Sequence, residues 1–279
     1  MKRKLFLAAA LPALLLDACS KVSSKPAVND TRDLSGYRVG VNLAWEGDYI
    51  MTERYLAGEK TDIYRFDETA GLLLALQTGK TDCFVLDETE IAVVKSQVAG
   101  IKVLSPPVAE VGYIAFFNRS KQGLLEDFNA FVAEWRESEE YKDYIRRIKS
   151  FDGSNYSEPE LPSLKDGLPV TVGYCELSFP RSFPDAENGE AKGFDMEPLK
   201  RWAFARGYSL KMTGTSYEDM EQGTRIGNYD IGVGYIGDCY AEESRKAGVL
   251  TSSSFSESSL QVCVKSRDGL AVTGDIDKL

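Results

Sequence analysis

ALQTGKTDCFVLDE, from Ala75 to Glu88, shows the clearest structural grammar in the chain. Leu72, Leu73 and Leu76 suit a short helix. Gly79 can end that helix in the left-handed conformation open to glycine, and Cys83 to Leu86 is an apolar run short enough for a buried strand. Asp87 then stands at the strand's carboxyl end. In open α/β sheets that end faces the ligand crevice, so a carboxylate leaving a buried strand there is a candidate partner for a cation. The same grammar returns in SYEDMEQGTRIGNYDIGVG, from Ser216 to Gly234, with Gly227 closing a helix and Tyr229 to Val233 as the strand. Two such units imply two lobes facing one cleft.

Strand and helix signals alternate on either side. Tyr37 to Leu43 reads as a first strand, Trp45 to Tyr55 as a turn and helix, and Asp62 to Phe66 as a second strand. A helix at Glu88 to Gln97 and a strand at Ile101 to Leu104 follow. Val111 to Asn118 is a longer apolar strand, suited to crossing between two bodies. Two amphipathic helices come next, on the spacing of Leu124, Leu125, Phe128, Val132 and Trp135 and of Tyr141, Tyr144, Ile145 and Ile148. Residues 151–166, rich in Pro and Ser, form a linker. The alternation then restarts with strands at Val170 to Tyr174 and Ser209 to Met212, a helix at Glu197 to Ala205, and a last strand at Gln261 to Lys265. The expected class is α/β, with a mixed, mostly parallel sheet flanked by helices in each lobe.

Composition narrows the chemistry. The chain has 279 residues, 43% of them hydrophobic, enough for a sizeable core. A formal charge of -10 argues against nucleic acid as a partner. There is no histidine, which removes Ser-His and Cys-His nucleophiles and the usual zinc sites. Cys83, Cys175, Cys239 and Cys263 are widely spaced, so neither a metal centre nor another cofactor is expected.

The N-terminus carries Lys2, Arg3 and Lys4 before an apolar run from Leu5 to Leu16. That run is shorter than the roughly 20 residues a membrane helix needs and suits a secretory signal. Leu16-Asp17-Ala18-Cys19 resembles a bacterial lipobox, with Asp17 unusual inside it. Residues 1–19 are thus expected to be a signal peptide, Cys19 the lipidated residue and 20–33 a tether, placing the protein in the periplasm or at the cell surface.

Several blocks together carry a family resemblance. GYCELSFPRSFPDAENGEAKGFD, from Gly173 to Asp195, with the tyrosine-led helix and YDIGVGY after it, resembles the first lobe of type II periplasmic solute-binding proteins of polar amino acid ABC importers. LSGYRVGVNLAWEGDY, ALQTGKTDCFVLDE, YIAFFN, LLEDFNAFVAEW and EEYKDYIRRI resemble that family's second lobe and tail. The order is reversed, as a circular permutation joined at the 151–166 linker would make it. A fragment of a tandem protein is the other reading. The resemblance implies a lobe at 34–112, normally second, and a lobe within 113–279, normally first, with hinge strands near 111–118 and 261–265.

It also implies a monomer that captures a small amino acid or amine and delivers it to an ABC permease, held to the membrane only by its lipid. Asp87 matches the aspartate that takes the ligand's ammonium, although it also suits a helix N-cap. Arg245 matches the arginine that forks the α-carboxylate, although a surface pair with Glu242 suits it equally. Phe179 and Tyr217 match aromatic walls, Tyr217 being equally suited to the core. Trp45 and Glu46 replace the small, hydroxyl-rich turn of the family, and Glu176 stands where members binding basic side chains carry an acid. Glu46, Asp87 and Glu176 together favour a cationic ligand. The same fold serves dehydratases, where Glu46 or Glu176 could act as a general acid, as well as sensors and binding modules whose site has decayed.

Overall fold

A computed structural model describes residues 27–55 and 61–274. The expected signal peptide, Cys19 and the start of the tether lie outside the described residues. The chain builds two mixed sheets with helices on their faces, the α/β class expected from the sequence.

The first sheet begins with β1 (Arg38–Asn42), α1 (Glu46–Tyr55), β2 (Asp62–Phe66), α2 (Thr69–Thr78), β3 (Cys83–Asp87) and α3 (Glu88–Gln97). Gly79 closes α2 at φ 73°, its N–H returning to Ala75 and Leu76 carbonyls. Only glycine holds that left-handed conformation cheaply, so strand β3 starts where the sequence places it. Two short strands follow, β4 (Val98–Ala99) and β5 (Ile101–Val103).

The apolar run at 111–118 is two strands rather than one. In β6 (Ala109–Tyr113) it lies in the first sheet, and in β7 (Phe116–Phe117) it has joined the second. Ile114 and Ala115 make the change, donating to the Ile236 carbonyl and to Ser252 Oγ instead of to a ladder partner. Helices α4 (Gln122–Arg136) and α5 (Glu139–Lys149) come next. Ser138 caps α5 by accepting from the Tyr141 N–H, with Glu139 and Glu140 in the first turn and Arg146, Arg147 and Lys149 in the last.

After the irregular 151–166 stretch come β8 (Leu168–Cys175), the small hairpin of β9 (Phe183–Pro184) and β10 (Ala191–Lys192), α6 (Met196–Arg206), β11 (Tyr208–Thr215), α7 (Tyr217–Ile226) and β12 (Ile231–Val233). Helix α8 (Ala241–Ala247) leads to β13 (Leu250–Thr251), β14 (Ser256–Lys265) and β15 (Ala271–Val272).

The two sheets share one plan. The first runs β2-β1-β3-β14-β5 and the second β11-β8-β12-β7-β13. In each, three parallel strands are followed by an antiparallel strand that arrives from the other half of the chain. The chain therefore crosses between sheets twice, at β6–β7 and at the start of β14, and β6 and β14 pair antiparallel from Ala109↔Leu260 to Tyr113↔Ser256. This revises the expected last strand and lobe limits: β14 begins at Ser256, not Gln261, and residues 256–265 lie in the first sheet rather than with 113–255. Ser256, Ser258 and Ser259 hid it, being polar yet buried.

Apolar packing holds each lobe. Phe128 of α4 meets Trp202 of α6 and Phe255 edge-on at 5.6 and 6.3 Å, all three fully buried. Each such side chain contributes about 1.5–3 kcal/mol on burial, against about 0–1 kcal/mol for an exposed pair such as Arg206–Glu134 on the same helices. The core, not the charge pair, seats α4 against α6.

Candidate functional site

The carboxyl end of β3 delivers Asp87 to the seam between the lobes, 1% exposed. Its extended backbone makes it the N-cap of α3, and Oδ1 accepts from the Thr89 N–H at 2.8 Å and the Thr89 hydroxyl at 2.6 Å. Oδ2 accepts from the Tyr113 hydroxyl at 3.0 Å. The cap is therefore formed, and the cation beside Asp87 is the chain's own Arg181, whose guanidinium lies 3.9 Å from Oδ1.

Arg181 belongs to the opposite lobe, in the turn between β8 and β9, and is wholly buried. Its guanidinium carbon sits 3.4 Å from the centre of the Tyr113 ring and 5.9 Å from that of Tyr235. Nη1 donates to Asp195 Oδ1 at 3.1 Å and to Ser256 Oγ at 3.4 Å, while Nε and Nη2 meet no acceptor at bonding distance. Asp195, the acid of the Gly193-Phe194-Asp195 motif, also accepts from the Tyr235 N–H at 2.8 Å. Gly193 makes this approach possible. At φ 132° its position lets the backbone pass over the Arg181 carbonyl, and an added Cβ would stand 2.1 Å from that oxygen.

Glu46, the first residue of α1, enters the same enclosure at 2% exposure, and its Oε1 accepts from the Gly237 N–H of the other lobe at 3.1 Å. Burial, then the charge of Asp87, pushes its carboxyl up to about 8. Glu90 lies alongside, where desolvation followed by the charges of Asp87 and Glu46 holds its carboxyl well above its ordinary value. Desolvation raises Asp195 as well, with Arg181 opposing it. Asp87 and Asp195 thus stand against the one guanidinium, with Glu46 and the half-buried Glu90 close enough for their charges to act on the group. Among the described residues no His, Cys, Asp and Glu side chains are grouped to hold a metal ion.

The seam is closed around this cluster. The Trp45 ring stands 5.3 Å from Tyr235 and is 36% exposed, forming the outer cover. Tyr240 of the second lobe donates to the Ala44 carbonyl at 2.9 Å and packs on Tyr49 at 5.1 Å. Ala44 and Tyr235 both adopt left-handed backbone, φ 61° and 58°, without being glycine. Such strain persists only where the surroundings enforce it, and here it flanks the buried charges on both sides.

The structure thus brings together Asp87, Glu46 and Trp45. Tyr217 is half-buried, packed against the cluster of Ile114, Phe116, Met220, Ile236 and Val249; burial raises its hydroxyl, with Glu46 among the charges acting on it. Glu176 lies at the end of β8, where its N–H bonds the Thr215 carbonyl, and Phe179 packs in an aromatic group with Phe151, Tyr156 and Phe183. Arg245 is exposed on α8 and donates to Thr251 Oγ1 at 2.8 Å; among the described residues no hydrogen bond or ion pair joins it to the Asp87 group. Glu242 pairs with Lys246 instead. Sequence reasoning missed Arg181, Tyr113 and Tyr235. In FPRSFP an arginine between aromatic and proline residues carries no mark of burial, and Tyr113 sits in an apolar run where an aromatic reads as core.

No protein-family model and no curated protein matches the chain. Solved structures do show likeness. An ancestral amino acid-binding protein, described as a precursor of cyclohexadienyl dehydratase, is 13% identical over 83% of this chain and 82% of that chain, with a TM-score of 0.41. An ancestral arginine-binding protein bound to arginine is 16% identical over 85% and 87%, TM-score 0.38. A phosphate-binding protein of a phosphate ABC transporter from Streptococcus pneumoniae TIGR4 is 11% identical over 83% and 89%, TM-score 0.40. These values assign this chain neither a ligand nor a partner.

Proposed function

We propose that this chain is an exported, lipid-anchored solute-binding protein that closes two lobes on a small amino acid or amine and presents it to an ABC importer, its lobes standing in circularly permuted order. The observation that carries the reading is the group of Asp87 and Asp195 with the cation Arg181, and with Glu46 and Glu90 beside them, where the lobes meet. Groups from both lobes form it, so filling the enclosure and closing the lobes are one event. Asp87 and Asp195 stand against Arg181 from the two lobes, and the raised carboxyls of Glu46 and Glu90 would give up their protons beside a further positive charge, which favours a cationic ligand over an anion. Asp87 and Glu46 are the proposed partners of the ligand's ammonium, Trp45 and Tyr217 its covers; Arg245 takes no part in the closed arrangement. Cys19 is the proposed anchor.

A panel of amino acids and amines, screened by the rise in melting temperature they cause, tests the reading. Stabilisation by one or more amines is expected. Preference for glutamate or aspartate would sink it.

One observation favours a second reading. A buried Glu46 that keeps its proton near neutral pH is suited to general acid work, as in a dehydratase. Turnover of prephenate or arogenate by the wild type, lost in Glu46→Gln, would establish it; tight amine binding without turnover would remove it.

A further inference from the structure

The seat that the resemblance assigns to the ligand's cation is already filled by the chain itself. Arg181 presents a planar cation stacked 3.4 Å from the Tyr113 ring centre, with Tyr235 beyond, and with carboxylates from both lobes in reach. It is as buried as a bound ligand would be, at 0% exposure. Its anchors span the whole seam: Asp87 from the first sheet, Tyr113 and Ser256 from the two crossing strands, Asp195 from the second lobe. Among the described residues only Nη1 is hydrogen-bonded, to Asp195 and Ser256, so Arg181 is held chiefly by charge and by the Tyr113 face, contacts that another planar or compact cation could make in its place.

We propose that Arg181 is a built-in guanidinium ligand that latches the two lobes in the absence of solute, and that a cationic solute enters by displacing it. The idea rests on the enclosure being the ligand seat, as proposed above, and adds the competitor that guards it. A latch of this kind lowers the apparent affinity for solute by the fraction of molecules in which Arg181 has left the seat. It also sets specificity: a solute has to match the Asp87 and Asp195 carboxylates better than a tethered guanidinium does.

The test uses the full chain with Arg181→Ala and, as probe, guanidinium chloride at up to about 20 mM, too dilute to denature. Sodium chloride at the same concentration and urea, a neutral molecule of the same shape, are the controls. Removing one partner of a buried charge group is expected to lower the melting temperature by on the order of 10 °C. Guanidinium is expected to restore roughly half of that loss in Arg181→Ala, while urea and sodium chloride restore none and the wild type does not respond. Equal melting of variant and wild type, or equal guanidinium response in both, would overturn the latch. If Arg181→Ala does not accumulate in folded form, Arg181→Lys keeps the charge and stem but loses the fork. It is then expected to melt lower and to show a larger radius of gyration than the wild type; equality in either defeats the proposal. The two readings fail separately. Amine binding by the wild type without guanidinium rescue removes the latch alone, and rescue without amine binding by the wild type removes the solute reading alone.

Discussion

Glu46 shows how one burial controls a pH response. Its carboxyl titrates near 8 in the folded chain, against 4.5 for an unperturbed group, because it is buried beside Asp87. Between those values the folded chain keeps a proton that the unfolded chain has released, so stability falls as pH rises. The contribution is complete below pH 4.5 and is lost as pH rises toward 8. Urea unfolding of the wild type at pH 5 and pH 8 is therefore expected to differ by a few kcal/mol, about what a shift of this size carries. Glu46→Gln, whose side-chain carbonyl can still accept from the Gly237 N–H, is expected to remove the Glu46 share of that difference and leave a smaller slope of the same sign from Glu90 and Asp195, which burial also raises. An undiminished slope in the variant would show that Glu46 is not the titrating group. Asp87 belongs to the same scale and has a double duty, as cap of α3 and as neighbour of Arg181. Asp87→Asn keeps a capping oxygen but removes the charge, and is expected to cost about 2–4 kcal/mol in the same measurement, mostly from stranding Arg181.

At the scale of elements, the seam depends on how closely 3-10 turn 238–240 approaches α1. Gly237 precedes that turn, with φ −72°, so any residue could adopt its backbone. Space is what requires glycine there, because an added Cβ would lie 2.6 Å from Glu46 Cγ. Gly237→Ala is thus a wedge between lobes rather than a backbone strain. It is expected to cost about 1–3 kcal/mol, typical of overpacking, and to increase exposure of Trp45 as read by fluorescence quenching. Unchanged quenching would mean that the lobes do not meet at this point. Most elements were legible because periodicity and glycine stops mark them: α2 with Gly79, α6 with Gly207 and α7 with Gly227 all end in left-handed glycine. The failures have physical causes. Strand β14 begins in Ser256-Glu257-Ser258-Ser259, whose hydroxyls are buried because Ser258 and Ser259 meet Glu88 and Ser256 meets Arg181, partners that no local pattern reveals. The run at 111–118 reads as one strand, and only the tertiary partners of Ile114 and Ala115 divide it. Arg245 matches a family arginine by position in the sequence, and such a match does not say which way a side chain on α8 faces; here it donates to Thr251 instead.

On the scale of the whole molecule, the repeated strand plan of the two sheets was foreshadowed by two similar sequence units, whereas the occupant of the seam was not. Burial of a charged side chain such as Arg181 is decided by what both lobes bring to it, and that is long-range information. The proposed permutation makes a prediction of its own. Joining residue 274 to residue 27 through a short flexible linker and opening the chain between Lys165 and Asp166, both exposed, should give a protein that unfolds cooperatively with stability within about 1–2 kcal/mol of the parent, as surface relinking generally allows. Failure to fold would argue that the present order is required.

The central claim is that this seam is a seat for a cationic solute with Asp87 as its carboxylate. Calorimetric titration of the wild type and Asp87→Ala with amines and basic amino acids, side by side, tests it most directly. Saturable one-to-one binding by the wild type, weakened at least about tenfold in Asp87→Ala, is the predicted result, since losing a charge-assisted bond costs about 1.4 kcal/mol or more. Binding of equal affinity in both proteins would contradict the account.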